Sequence, residues 1–176
     1  MAAKRFDRKE IEPLLDAQER LVRDVARTAL AAERGIAQRS YSVYRQFRAK
    51  LDEYDALSVL VEERLASVQG DPDLADLRAR QSAATARVLS TLVRASIRFF
   101  HVMQDGPLPL GAREILIAEL RSIHVARRLL DDPANRIHLD ERALGDLETA
   151  ERIIAVVLER APGLLDFTAQ RQRGAD

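Results

Sequence analysis

The chain has 176 residues, 28 Lys plus Arg against 28 Asp plus Glu, no Cys, no Trp and 47% hydrophobic residues. A chain of this length can bury roughly 70% of the surface its unfolded form exposes, so it needs no disulfide or metal to fold, and without Cys it has no disulfide to form. Plentiful apolar residues at zero net charge exclude disorder, and the longest uncharged aliphatic run, Ile153 to Leu158, excludes a spanning helix of about 20 residues.

The first residues, Met1-Ala-Ala-Lys-Arg-Phe-Asp-Arg-Lys-Glu, carry no apolar stretch of the secretory kind, so a cytoplasmic protein is expected. Of the 28 cations 25 are Arg, a usage expected of a GC-rich, bacterial coding sequence. The balanced net charge disfavours broad nucleic-acid binding, which runs on phosphate neutralisation.

Breakers cluster at four places: Gly70-Asp71-Pro72-Asp73, Gln104 to Gly111, Asp131-Asp132-Pro133-Ala134-Asn135, and Pro162-Gly163. Between them Ala, Leu, Arg and Glu dominate, all strong helix formers, and no strand-like alternation occurs. The expected fold is all-α, a bundle of about five main helices with long antiparallel members. One domain over residues 1–163 would be followed by a short tail, 164–176.

In chain order, the first helix is expected from about Asp7 to Arg34, with Ile11, Leu14, Leu15, Leu21, Val22, Val25, Ala29 and Ala32 on one stripe. The second runs from about Ser40 to Gln69 on Val43, Phe47, Leu51, Tyr54, Leu57, Val61, Leu65 and Val68. The third runs from an N-cap at Asp73 to about Met103 on Leu77, Ala84, Val88, Thr91, Leu92, Ala95 and Phe99. The fourth covers about Ala112 to Leu130 and the fifth about Asp140 to Arg160. Gly35 followed by Ile36 fits a Schellman ending for the first helix. The heptad series Leu15, Val22, Ala29, Ile36, Val43 nevertheless runs through it, leaving as the alternative one kinked helix of ~90 Å.

From Leu77 to Gln104 the third helix holds five Arg and no acid, and Arg80, Arg87, Arg94 and His101 recur every seven residues. A hairpin about residues 71 and 72 pairs positions summing to about 143. Glu62 and Glu63 then neutralise Arg80, and Asp52 and Asp55 approach Arg87. Arg94 and Arg98 meet Arg45, Arg48 and Lys50, a cationic end that also gathers Tyr41, Tyr44, Phe47, Phe99 and Phe100. Arginine forks beside aromatic faces suit an anionic, planar, nucleotide-like ligand. The competing reading has acids of the first, fourth or fifth helix neutralising those Arg.

Catalytic signals are absent from the sequence. His124 lies between Ile123 and Val125, no Glu-x-x-His pair supports a di-iron bundle, and neither zinc spacing nor a nucleophile elbow occurs. The fragment Asp166-Phe-Thr-Ala-Gln170 resembles the Asp-x-x-x-Gln pair of a chemotaxis phosphatase. Ala32-Glu33-Arg34-Gly35 with Val43-Tyr44-Arg45-Gln46-Phe47 resembles the edges of a TetR-type DNA-binding head. The first sits in the last eleven residues and the second lacks the helix-turn-helix between its edges, so neither family is assigned.

The expectation is therefore a non-enzymatic helical interaction, assembly or regulatory module. It would self-associate or clasp another helical protein in coiled-coil fashion, with Ile11, Leu14 and Val25 as its interface. The alternative is a regulator that binds a small anionic ligand, or nucleic acid, through Tyr41, Tyr44, Arg45, Arg48, Arg94, Arg98 and His101. No cofactor, metal, catalytic residue or membrane contact is expected.

Overall fold

Asp7 opens the first helix with a reciprocal cap: its carboxylate accepts from the Glu10 amide at 3.0 Å, and its own amide donates to Glu10 Oε2 at 3.1 Å. A computed structural model of the chain describes residues 6–38, 42–68, 71–104, 107–108 and 112–162; the expected tail, 164–176, lies outside them. Six α-helices and one 3-10 turn occupy the described residues, with no strand among them. The helices are α1 (Arg8–Ala37), α2 (Ser42–Ala66), α3 (Ala75–His101), α4 (Ala112–Leu130), α5 (Pro133–Arg136) and α6 (Ala143–Arg160). The fold is all-α, as the periodicity predicts. No helix among the described residues is long and apolar enough to cross a membrane.

Two expected boundaries are corrected. Helix α1 does not end before Gly35 but passes through it to Ala37, where the Gln38 amide turns back onto the Arg34 and Gly35 carbonyls. The reason is burial: Ile36 continues the line of Val25, Ala29 and Ala32, all shielded from solvent, so one more turn keeps an apolar side chain inside. Nor does the helix run on into α2. Gln18 meets Tyr54 and Ser58, and the Glu10 carbonyl meets Arg64, so α2 runs back antiparallel along α1.

The second correction concerns α3. Asp71, not Asp73, supplies the cap. Its carboxylate accepts from the Asp73 amide at 3.1 Å and starts a 3-10 turn, Pro72–Leu74, that leads into α3. Proline after the cap residue costs nothing there, because its missing N–H would have had no helical partner. The same device recurs at Asp132-Pro133, where Asp132 accepts from the Ala134 amide at 2.8 Å and nucleates the single turn α5.

The chain divides into two compact units, residues 1–91 with 130–139, and residues 92–129 with 140–176, so α3 contributes to each. In the first unit Ile11 and Leu15 pack with Val61, Leu65, Val68, Leu74 and Leu77, edged by Phe6, Leu14 and Leu57. The antiparallel α2–α3 register follows the expected sum: Gln81 reaches Glu62, Thr85 reaches Tyr54, and Arg78 reaches the Val68 carbonyl. In the second unit Leu116, Ile123 and Ala126 of α4 and Leu147, Ala150 and Ile154 of α6 are buried.

Candidate functional site

The ligand-binding residues expected from the sequence divide between the two units. Tyr41 lies outside the described residues, as do Asp166 and Gln170. Tyr44, Arg45 and Arg48 stand on α2 in the first unit, whereas Arg94, Arg98 and His101 stand on α3 in the second. Tyr44 packs against Phe47 with ring centroids 6.3 Å apart. His101, the last residue of α3, is exposed.

Arg94 does not stand in an acid-free cluster. It donates from Nη2 to Asp140 and from Nε to Asp146 at 3.2 Å, the second acid sitting in the first turn of α6. These bonds raise the guanidinium pKa further above its ordinary range and hold the Asp140 carboxyl below its own. Neutralisation by acids of the last long helix, the competing reading of the sequence, is what the second unit contains at this position.

Arg80 shows the same behaviour with a different partner from the expected Glu62 and Glu63. Its guanidinium reaches Glu19 at 2.8 Å, Asp16 at 2.6 Å and Glu12 at 3.7 Å, all on α1. Arg8 and Asp76 close the other end of the pair, at 2.6 Å. These contacts advance together along both helices, so α1 and the first half of α3 run parallel and are laced by charge.

The expected interface residues are core residues. Ile11 and Val25 are fully buried within the chain and Leu14 packs on the first unit's core, so α1 presents none of them as an open apolar stripe. The physical cause is that two helices, α2 and α3, pack along α1, and the face turned to them is the apolar one.

Sequence reasoning missed the buried polar cluster between these three helices. Gln18 is 0% exposed, and its Nε2 donates to the Tyr54 hydroxyl and to Ser58 Oγ, each at 3.2 Å. Tyr54 Oη lies 3.1 Å from Thr85 Oγ1, and Gln81 on α3 donates to Glu62 at 3.1 Å. Gln18 Oε1 is buried without a hydrogen-bond partner. Burial pushes the Tyr54 hydroxyl up to about 12, so it stays protonated as a donor at any ordinary pH. The available signal was the gap at position 18, a glutamine where the Ile11, Leu14, Val25 stripe calls for an apolar residue.

His124 is exposed, and its Nε2 is 3.8 Å from Glu151, a carboxylate that Arg127 holds at 2.8 Å. A carboxylate already engaged by Arg is poorly placed to activate the imidazole as a base. Among the described residues no three His, Asp or Glu side chains gather as a metal site.

What remains conspicuous is the outer side of α4. Ala112, Leu116, Glu119, Ile123, Ala126 and Leu130 form its inward line. A second line, Ile115, Ala118, Ser122, Val125 and Leu129, follows the same three-four spacing one residue earlier in the chain, about 100° around the helix. Ile115 is 50% exposed, Val125 43% and Leu129 40%. Comparison with family models, with curated proteins and with solved structures returns no match for this chain.

Proposed function

We propose that this protein is a non-enzymatic helical assembly module that self-associates through the outer line of α4. The observation that carries the reading is that line itself, three large aliphatic side chains exposed at a and d spacing over about 21 Å of helix. A second copy of the chain is the occupant that its charges suit. Glu114 begins the line and Arg128 ends it, so an antiparallel pairing sets Glu114 beside Arg128 of the second copy, twice by symmetry. Ile115 then packs on Val125 of the other copy, and the small residues Ala118 and Ser122 meet at the centre and let the two backbones approach. Arg121 falls beside its own counterpart, a repulsion that salt relieves.

A seam this short lies at the low end of stable interfaces, so the dimer is reversible and concentration-dependent. Sedimentation velocity over a wide range of loading concentrations tests it. The expected result is a shift from 19.8 kDa toward twice that mass, abolished in Val125→Lys, Leu129→Lys with helicity unchanged. A species of monomer mass at every concentration overturns the proposal, as does a dimer that the double substitution leaves intact.

A further inference from the structure

Zero net charge conceals a strong segregation. Between residues 20 and 50 stand eight Arg or Lys and two acids, a net of +6, so the remainder of the chain carries the compensating −6. This segment belongs entirely to the first unit. On α1 the acids Glu12, Asp16 and Glu19 of the N-terminal half are engaged by Arg80. From Arg20 onward the helix turns Arg20, Arg23, Arg27 and Arg34 to solvent. Steps of three, four and seven keep those four on one face, spread over about 21 Å. Arg45 of α2, also exposed, stands near the level of Leu30 in the antiparallel register. None of the ion pairs among the described residues engages Arg20, Arg23, Arg34 or Arg45, and Arg27 holds only the neighbouring Asp24, at 2.9 Å with its side chain 77% exposed.

We infer that this arginine face of the α1–α2 hairpin binds the phosphate backbone of double-stranded nucleic acid. The choice of partner follows from what the face lacks. A protein interface needs an apolar centre depleted in charge, and a membrane-surface helix needs an apolar side to insert. Here Leu30 is the single large aliphatic side chain among the guanidinium groups. Backbone binding to nucleic acid proceeds on cations without an apolar anchor, and the planar guanidinium fork matches phosphate oxygens two at a time. Contacts to phosphate carry no sequence information, so binding through this face is independent of sequence.

Fluorescence anisotropy with a labelled duplex of mixed sequence tests the inference on the full chain. With about four phosphates neutralised, the log–log salt slope is about −3.6, and affinity falls on the order of 100-fold between about 50 and 200 mM salt. The triple variant Arg20→Gln, Arg23→Gln, Arg34→Gln weakens binding at least about tenfold at low salt and flattens the slope by nearly 3. An equal loss of charge elsewhere, in Arg136→Gln, Arg142→Gln, Arg152→Gln, leaves both quantities unchanged. Absence of binding at low salt overturns the inference, and so does equal weakening by the two triple variants. Cosedimentation with phosphatidylserine vesicles without duplex binding overturns it in favour of a membrane surface. The assembly proposal stands or falls separately, because each readout works on monomer or dimer.

Discussion

Gln18 Nε2 and the Tyr54 hydroxyl meet 3.2 Å apart in the interior of the first unit, while the other end of the same amide, Oε1, finds no donor. A buried acceptor without a partner costs about 1–3 kcal/mol, which offsets much of what the two donated bonds contribute. Replacing the amide by an apolar group of like size is therefore cheap. Gln18→Leu is expected to change unfolding free energy by less than about 1 kcal/mol, whereas Gln18→Ala, which opens a cavity, costs about 2–4 kcal/mol. Urea denaturation of both variants decides: equal losses would mean that the hydrogen bonds, rather than the filled volume, hold the three helices there.

The same cluster gives the fold an expected dependence on alkaline pH. The Tyr54 pKa is raised to about 12 by burial, above the ordinary 10 of the unfolded chain. Its contribution is fully present below pH 10, because both states are then protonated. Above pH 10 the unfolded state ionises first, and stability declines until about pH 12, by roughly 3 kcal/mol. Tyr54→Phe removes this dependence. Thermal melts between pH 9 and pH 12 should show a steeper decline in the parent than in the variant, and parallel curves would place the titrating group elsewhere.

Asp140 gives a local readout in the second unit. Arg94 holds its carboxyl below the ordinary 3.8, with the Arg142 and Ala143 amides assisting. A carboxylate with a lowered folded pKa stabilises above its unfolded value and loses that contribution as pH falls through the folded one. Arg94→Gln should move the Asp140 titration back toward 3.8, followed by NMR of the side-chain carboxyl carbon. Because the pair is exposed, the variant's melting temperature at neutral pH should hardly change. A large loss there would give Arg94 a packing role that the ion pairs do not describe.

The helical stripes were legible because burial imposes a 3.6-residue period on any helix packed on one side. Phe47, Leu51, Tyr54, Val61 and Leu65 of α2, and Leu77, Ala84, Val88 and Phe99 of α3, are buried as their spacing predicts. The α2–α3 register was legible for the same reason, since a short turn leaves one antiparallel pairing. The specific partners of Arg80 and Arg94 were not, although acids of another helix are the competing reading of the sequence for Arg94. A hairpin reading considers two helices, and the acids that reach these Arg come from α1 and from α6 with the residue Asp140 before it. Helix α5 escaped because four residues contain no period to detect. Global charge counting hid the arginine face for a related reason, as a sum carries no positions.

The residues assigned to the interface from sequence and those assigned from structure respond to substitution in opposite ways. Ile11 is sealed in the core by Leu65, Val68 and their neighbours, so Ile11→Ala leaves a void and should cost about 2–5 kcal/mol in unfolding free energy. A dimer held by α4 would keep its mass as long as that variant is folded. Val125 is 43% exposed, so Val125→Lys sacrifices little in the isolated chain, within about 0.5 kcal/mol. In the dimer, however, it would bury a cation in the apolar seam, which a pairing this small cannot absorb. Denaturation and sedimentation on the two variants should therefore give a crossed pattern, stability lost in one and association in the other. If Ile11→Ala instead lowers the mass while stability holds, the first unit opens on association and α1 is the interface after all.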